Sequence, residues 1–289
     1  MRRNSRAYLL LIPFFIIVDL VLAACVFVLL QSFVYIPAFV LHELSLKHYA
    51  KALANKDFVA SLLVSLRIAF VSAVLAAVLG TVLCAALVKL RCSSGAMLYA
   101  VRLPILVPHV VVALFIFMLF SQTGIIARLL FAVGIISDSS RFPLLLYTEK
   151  YHGVILSYLW KEIPFVAYFS LALMASVSHT LGEAAENLGA SPLRSFFAVT
   201  LPLSFPAISK AFIIIFIFAF GGYELPLLLG ATLPKALPVY AYIAYTNPDL
   251  KLRPDAMAVY GLILLLSVVM AALYSLLTNK LIKKIRGEV

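Results

Sequence analysis

The sequence predicts an all-α integral membrane protein of six transmembrane helices, with both termini on the cytoplasmic side. Three observations carry this expectation. Hydrophobic residues make up 64% of the 289 and charged residues only 12%, where an ordinary soluble domain carries roughly 25% charged residues. Apolar residues run in continuous stretches near or above the ~20 needed to span a bilayer, without the period-two alternation of barrel strands. Basic residues gather at both ends, as Arg2, Arg3 and Arg6 and as Lys280, Lys283, Lys284 and Arg286. The positive-inside rule places such ends in the cytoplasm, and an even number of spans keeps them on one side. So little charge cannot cover a soluble globule, which excludes a secreted enzyme or a cytosolic nucleotide-binding domain. The net charge of +11 therefore belongs to membrane topology and does not point to nucleic acid.

The first span is expected at about 8–34. Its Leu22-Ala23-Ala24-Cys25 resembles a lipoprotein cleavage site. Asp19 interrupts the run, however, and the apolar stretch outlasts a signal h-region, so an uncleaved helix is expected. Further spans follow at about 58–88, 97–120, 153–177, 205–230 and 257–279. The outer segments between them are too short to be domains, so residues 1–289 read as one transmembrane domain. Cys25, Cys84 and Cys92 are odd in number and the five histidines are scattered. No disulfide framework, metal site or bound cofactor is expected.

One cytoplasmic segment, 180–202, is different in kind. Thr180 and Glu183 have the spacing of a capping box, and Gly189 can end that helix in a left-handed cap. Ser191-Pro192 reads as N-cap and first-turn proline of a second helix, which Pro202 and Pro206 then close. The expected product is a bent pair of helices showing Glu183, Glu186, Arg194 and Phe196 or Phe197 to the cytosol.

Glu183-Ala184-Ala185, three residues, Gly189, nine residues, Val199, one residue, Leu201-Pro202: this order resembles the EAA loop of membrane subunits of binding-protein-dependent ABC importers. Val199 stands where isoleucine is commoner, and Leu188 where many members have aspartate. The resemblance covers about residues 55–280 and includes Leu103-Pro104-Ile105-Leu106-Val107-Pro108. It implies a type I importer-like permease fold in the bacterial inner membrane. It also implies that Glu183, Ala184, Ala185, Glu186, Gly189, Arg194, Leu201 and Pro202 belong to coupling helices seated on an ATPase. The implied partners are ABC ATPase subunits that use ATP and Mg, a second permease copy or paralogue, and an extracytoplasmic solute-binding protein. No G-x-x-x-x-G-K-[ST] phosphate loop occurs in the chain, which fits a permease that borrows its motor. Within the family, the loop and the run Tyr223 to Gly230 look most similar to the spermidine/putrescine branch. Relatives of that branch also serve iron(III), phosphonates and phosphorylated solutes.

Charges inside spans are costly and face the bundle interior or water. Arg67 and Glu162 fall at equal expected depth in the second and fourth spans, so an ion pair between them is expected. Glu224 sits in Gly221-Gly222-Tyr223-Glu224-Leu225-Pro226, where glycine and proline weaken the helix; broken helices in transporters mark pathways. Gly221, Gly222, Tyr223 and Glu224 are therefore expected to form a gate or line the path. His109 and Cys84 read as packing residues, and Trp160, beside Lys161, as packing or a cation–π neighbour. A competing class, an ion-coupled secondary transporter titrating Asp19 and Glu224, would depend on the proton gradient instead of ATP.

Overall fold

The computed structural model describes residues 3–33, 35–36, 41–42, 45–91 and 95–286; Arg2 and Cys92 lie outside the described residues. These residues are helical almost throughout, and among them six helices are long and apolar enough to cross a membrane. The chain divides into two compact units, Met1–Val59 with Tyr240–Leu266 and Ala60–Val239 with Ser267–Val289.

The first unit opens with α1 (Arg3–Ser32), whose apolar side chains from Leu11 to Leu30 are largely exposed. That is the surface expected where lipid is the solvent. Asp19 is exposed on this helix. A two-residue hairpin, β1 (Tyr35–Ile36) against β2 (Leu41–His42), leads to α2 (Lys47–Ala54). The segment 231–256, expected as a loop, instead contains α12 (Leu237–Tyr245). It precedes α13 (Arg253–Arg286), a longer helix than the expected sixth span. Asp255 accepts from Lys51 Nζ at 2.6 Å and pairs with His48 Nδ1. Ser32 and Tyr49 share a hydroxyl hydrogen bond of 2.6 Å. Tyr49 packs so closely on α13 that a Cβ at Gly261 would lie 2.5 Å from its hydroxyl.

The second unit is built on α3 (Lys56–Lys89), α7 (His152–Val177) and α10 (Leu201–Gly221). Ala73, Ala76, Val166, Ala211 and Ile215 form one buried cluster. A second cluster holds Cys84, Leu87, Leu98, Leu171, Met174 and Ile208, which confirms Cys84 as a packing residue. Small residues let the backbones approach, as they commonly do between membrane helices. A Cβ at Gly80 would lie 2.7 Å from the Ile163 carbonyl oxygen.

Two expected spans are corrected. The segment 97–120 is not one helix but α4 (Ala96–Leu106) and α5 (His109–Phe120), followed by α6 (Ile125–Ala132). The membrane-length segment is His109–Ala132. Pro108 has no amide hydrogen and forces Val107 into extended backbone, which ends α4. The segment 205–230 likewise stops at Gly221, where Gly222 turns extended; α11 (Glu224–Leu229) is a separate short helix.

Candidate functional site

The segment 180–202 folds as a compact bend. α7 continues through a widened π turn, Ser178–Gly182, into α8 (Glu183–Asn187). The expected capping box does not form, because Thr180 lies inside a continuing helix. Its hydroxyl donates to the Ser176 carbonyl at 2.8 Å. Glu183 instead lies 3.1 Å from His179 Nδ1 and 3.9 Å from Arg91 Nη2. Gly189 ends α8 at φ +92°. Its amide donates to the Glu186 carbonyl and that of Ala190 to the Ala185 carbonyl, the paired bonds of a Schellman turn. Ser191 then caps α9 (Pro192–Ser195) by accepting from the Arg194 amide, with Pro192 in the first turn, as expected.

Pro202 does not close this second helix. A second π turn, Phe196–Thr200, carries α9 directly into α10. A widened turn can accommodate the bond that proline cannot donate. The two arms clasp at Gly182, whose carbonyl accepts from Ser195 Oγ at 3.0 Å. A Cβ there would sit 3.2 Å from Thr200 Oγ1. Around this clasp Glu183, Ala184, Glu186 and Arg194 are exposed, while Leu201 and Phe196 pack on the core. Leu188 is 90% exposed, Leu193 73% and Phe197 63%.

A second constellation lies where the two broken helices meet α7. Among the described residues Arg67 and Glu162 form no ion pair. Helical side chains lean toward their own N-terminus, and exposed Arg67 reaches the Glu149 carbonyl at 2.7 Å instead. Glu162 stays buried, beside Lys161. The Lys161 ammonium donates to the carbonyls of Ile105 (3.5 Å) and Val107, at the α4–α5 break. Those carbonyls have lost their helical partners, so a buried cation replaces the missing amides and complements the helix end.

Tyr158 is buried between this break and the other one. A Cβ at Gly222 would overlap its hydroxyl, which places it against the α10–α11 break. His109 packs on Phe218 at 4.9 Å between ring centroids and lies 6.3 Å from Tyr158. Trp160 packs on Phe115 at 5.5 Å between ring centroids. Lys161 and Tyr158 were missed in the sequence as site residues. The available signal was Pro104 and Pro108, four residues apart inside an apparent span.

Residues 77–286 match the model of the family described as binding-protein-dependent transport system inner membrane component. The chain belongs to this family. The putrescine transport system permease protein PotI of Escherichia coli K12 is 25% identical over 76% of this chain and 72% of its own length. The sulfate transport system permease protein CysT of Salmonella typhimurium is 24% identical over 86% of both chains. In the crystal structure of a bacterial alginate ABC transporter with its alginate pentasaccharide-bound periplasmic protein, one chain superposes with a TM-score of 0.77. The identity there is 20%, covering 98% of this chain and 96% of that one. The fold is that of an ABC transporter permease, and the chain is a multi-pass inner-membrane protein.

For this permease the glycines at the α10–α11 break are not equivalent. A Cβ at Gly221 meets nothing within 4 Å, whereas one at Gly222 would overlap the Tyr158 hydroxyl. Gly222→Ala should cost about 1–3 kcal/mol by overpacking, and Gly221→Ala should be nearly neutral. Thermal unfolding of the two purified variants checks this. Equal melting temperatures would show that Tyr158 yields freely.

Proposed function

We propose that the chain forms one half of the membrane pathway of an ATP-driven importer. Its termini lie in the cytoplasm, and 180–202 is the loop seated on ABC ATPase subunits. The observation that carries this reading is the loop's surface. Leu188, Leu193 and Phe197 stand bare beside Glu186 and Arg194 on a rigid, capped bend. Exposed apolar side chains rimmed by charge mark a protein interface, and the clasp at Gly182 ties that surface to α7 and α10. Motion of a docked ATPase would thus reach both helices that flank the polar constellation.

ATP and Mg are used by the partner, and the chain itself holds no cofactor and catalyses no reaction. A second copy or a paralogue completes the pathway. An extracytoplasmic solute-binding protein delivers the solute, a small organic ion such as a polyamine. PotI supports a polyamine, but CysT and the alginate transporter show how widely solutes vary among similar proteins. Glu224, Tyr223, Gly221 and Gly222 form the gate or path element at the α10–α11 break.

Affinity purification of the tagged chain in mild detergent, with mass spectrometry of its partners, tests the reading. An ATPase should co-purify and be lost from the Glu183→Ala/Gly189→Val double variant. If no ATPase is recovered in any gentle detergent, the importer reading fails and proton-coupled transport takes its place.

A further inference from the structure

The short helix α4 has two unlike faces. Leu98 and Val101 turn into the buried cluster that holds Leu87 and Leu171. On the other side Tyr99, Arg102, Leu103 and Leu106 follow one another at the i, i+3, i+4, i+7 spacing of a single helical stripe. Tyr99 is 70% exposed and Leu106 81%; Leu103 is exposed as well, and Arg102 is half-buried.

The Arg102 guanidinium has no counter-charge. Its central carbon lies 4.4 Å from the ring centroid of Tyr168 on α7 and 5.8 Å from that of Tyr99. Its Nε is buried with no hydrogen-bond partner, and among the described residues no carboxylate pairs with it. Aromatic faces attract the cation but accept little from its five N–H donors. Within a membrane such a charge is costly unless an anion meets it.

Depth and order along the stripe indicate which anion. Arg102 lies about 9 Å past the start of α4 at 1.5 Å per residue. Exposed Lys89 and Arg91 precede that start on the aqueous side, and the exposed rings of Tyr99 and Tyr168 suit headgroup level. Past Arg102 the stripe continues with Leu103 and Leu106. From water inward the sequence is ring, cation, aliphatic chain, which matches the headgroup, phosphate and acyl chain of a phospholipid. The planar guanidinium fork pairs with phosphate oxygens two at a time. With no acid paired to Arg102, the ammonium of a zwitterionic headgroup gains nothing there.

We propose that this stripe of α4, with Tyr168 of α7, binds an anionic phospholipid, its phosphate on Arg102 and an acyl chain along Leu103 and Leu106. The site goes beyond the importer reading, because it depends neither on the orientation of the termini nor on an ATPase. The bound lipid ties α4 to α7 from outside the bundle, while Lys161 holds the far end of α4 from within.

The test uses the full chain, with the subunits that co-purify, in phosphatidylcholine nanodiscs. These carry a trace of phosphatidylglycerol bearing a diazirine on its acyl chain, and light-induced adducts are mapped by mass spectrometry. Adducts should concentrate at Leu103 and Leu106 over the exposed leucines of α1. Unlabelled phosphatidylglycerol at about ten times the probe should lower them about tenfold by simple competition, and inorganic phosphate should leave them unchanged. Arg102→Gln should lower them about tenfold, the loss of one charge-assisted pair, and Arg102→Lys by less. The competition in the wild-type chain stands even where a variant fails to fold. Equal labelling of α1 and α4, or adducts that phosphatidylglycerol does not compete, overturns the site. Displacement by inorganic phosphate, or an α4 stripe that cross-links to another polypeptide instead of the lipid, overturns it as well.

Discussion

A proline at position 189 should uncouple ATP hydrolysis from uptake in membranes where the chain still inserts. Gly189 holds φ +92°, and proline fixes φ near −65°. The substitution also removes the amide that donates to the Glu186 carbonyl at 2.9 Å. With both requirements broken, α8 cannot turn back toward α9, and Glu186 and Leu188 leave their places beside Arg194 and Leu193. No side chain is in the way, since a Cβ at 189 meets nothing within 4 Å. The penalty for other residues is therefore one of backbone conformation alone, roughly 1–2 kcal/mol for an L-residue in the left-handed region. Asparagine, which tolerates that region, should be the mildest replacement. The expected order of lost uptake per ATP hydrolysed is proline, then alanine, then asparagine. Reconstituted vesicles with both rates measured together check it. Normal coupling in the proline variant would show that the bend does not transmit ATPase motion.

Lys161→Met should be the most destabilising single change in the polar constellation. Methionine keeps most of the apolar stem but none of the donors. The Ile105 and Val107 carbonyls would then face the bundle interior unpaired. Hydrogen bonds from charged donors are worth about 1.5–3 kcal/mol each, and inside a bilayer lost partners are not readily replaced by water. Lys161→Arg should be milder, since it keeps the charge and supplies more donors in a different shape. Thermal unfolding in detergent should rank wild type first, arginine second and methionine last. A methionine variant as stable as wild type would mean that water satisfies the break.

The two cases differ in how much of the structure was legible. Gly189 and Ser191-Pro192 were readable because caps are local. Left-handed backbone, a side-chain acceptor and a missing amide are properties of one or two residues. Thr180 and Glu183 have equally good local spacing, yet the capping box lost to a continuing helix. A π turn packed against the other arm supplied a better use for those residues. The same competition explains Pro202, which reads as a stop but sits in the first turn of α10.

The expected Arg67–Glu162 pair failed for a different reason. Depth along a helix follows from residue count, but azimuth and side-chain reach depend on what each face packs against. Arg67 found a backbone carbonyl near the start of α7. Glu162 stayed buried beside Lys161, four residues from Tyr158 on the same helix.

Composition and continuous apolar runs determined by themselves that this is a helical membrane protein with six spans, because lipid tolerates few alternatives. Residues 183–202 carried the resemblance to the family that the match over residues 77–286 then showed. Tertiary structure alone decided which carbonyls Lys161 satisfies and which one Arg67 reaches. Those outcomes depend on contacts between residues more than 50 apart, and in a low-dielectric interior the position of one buried ammonium outweighs local propensity.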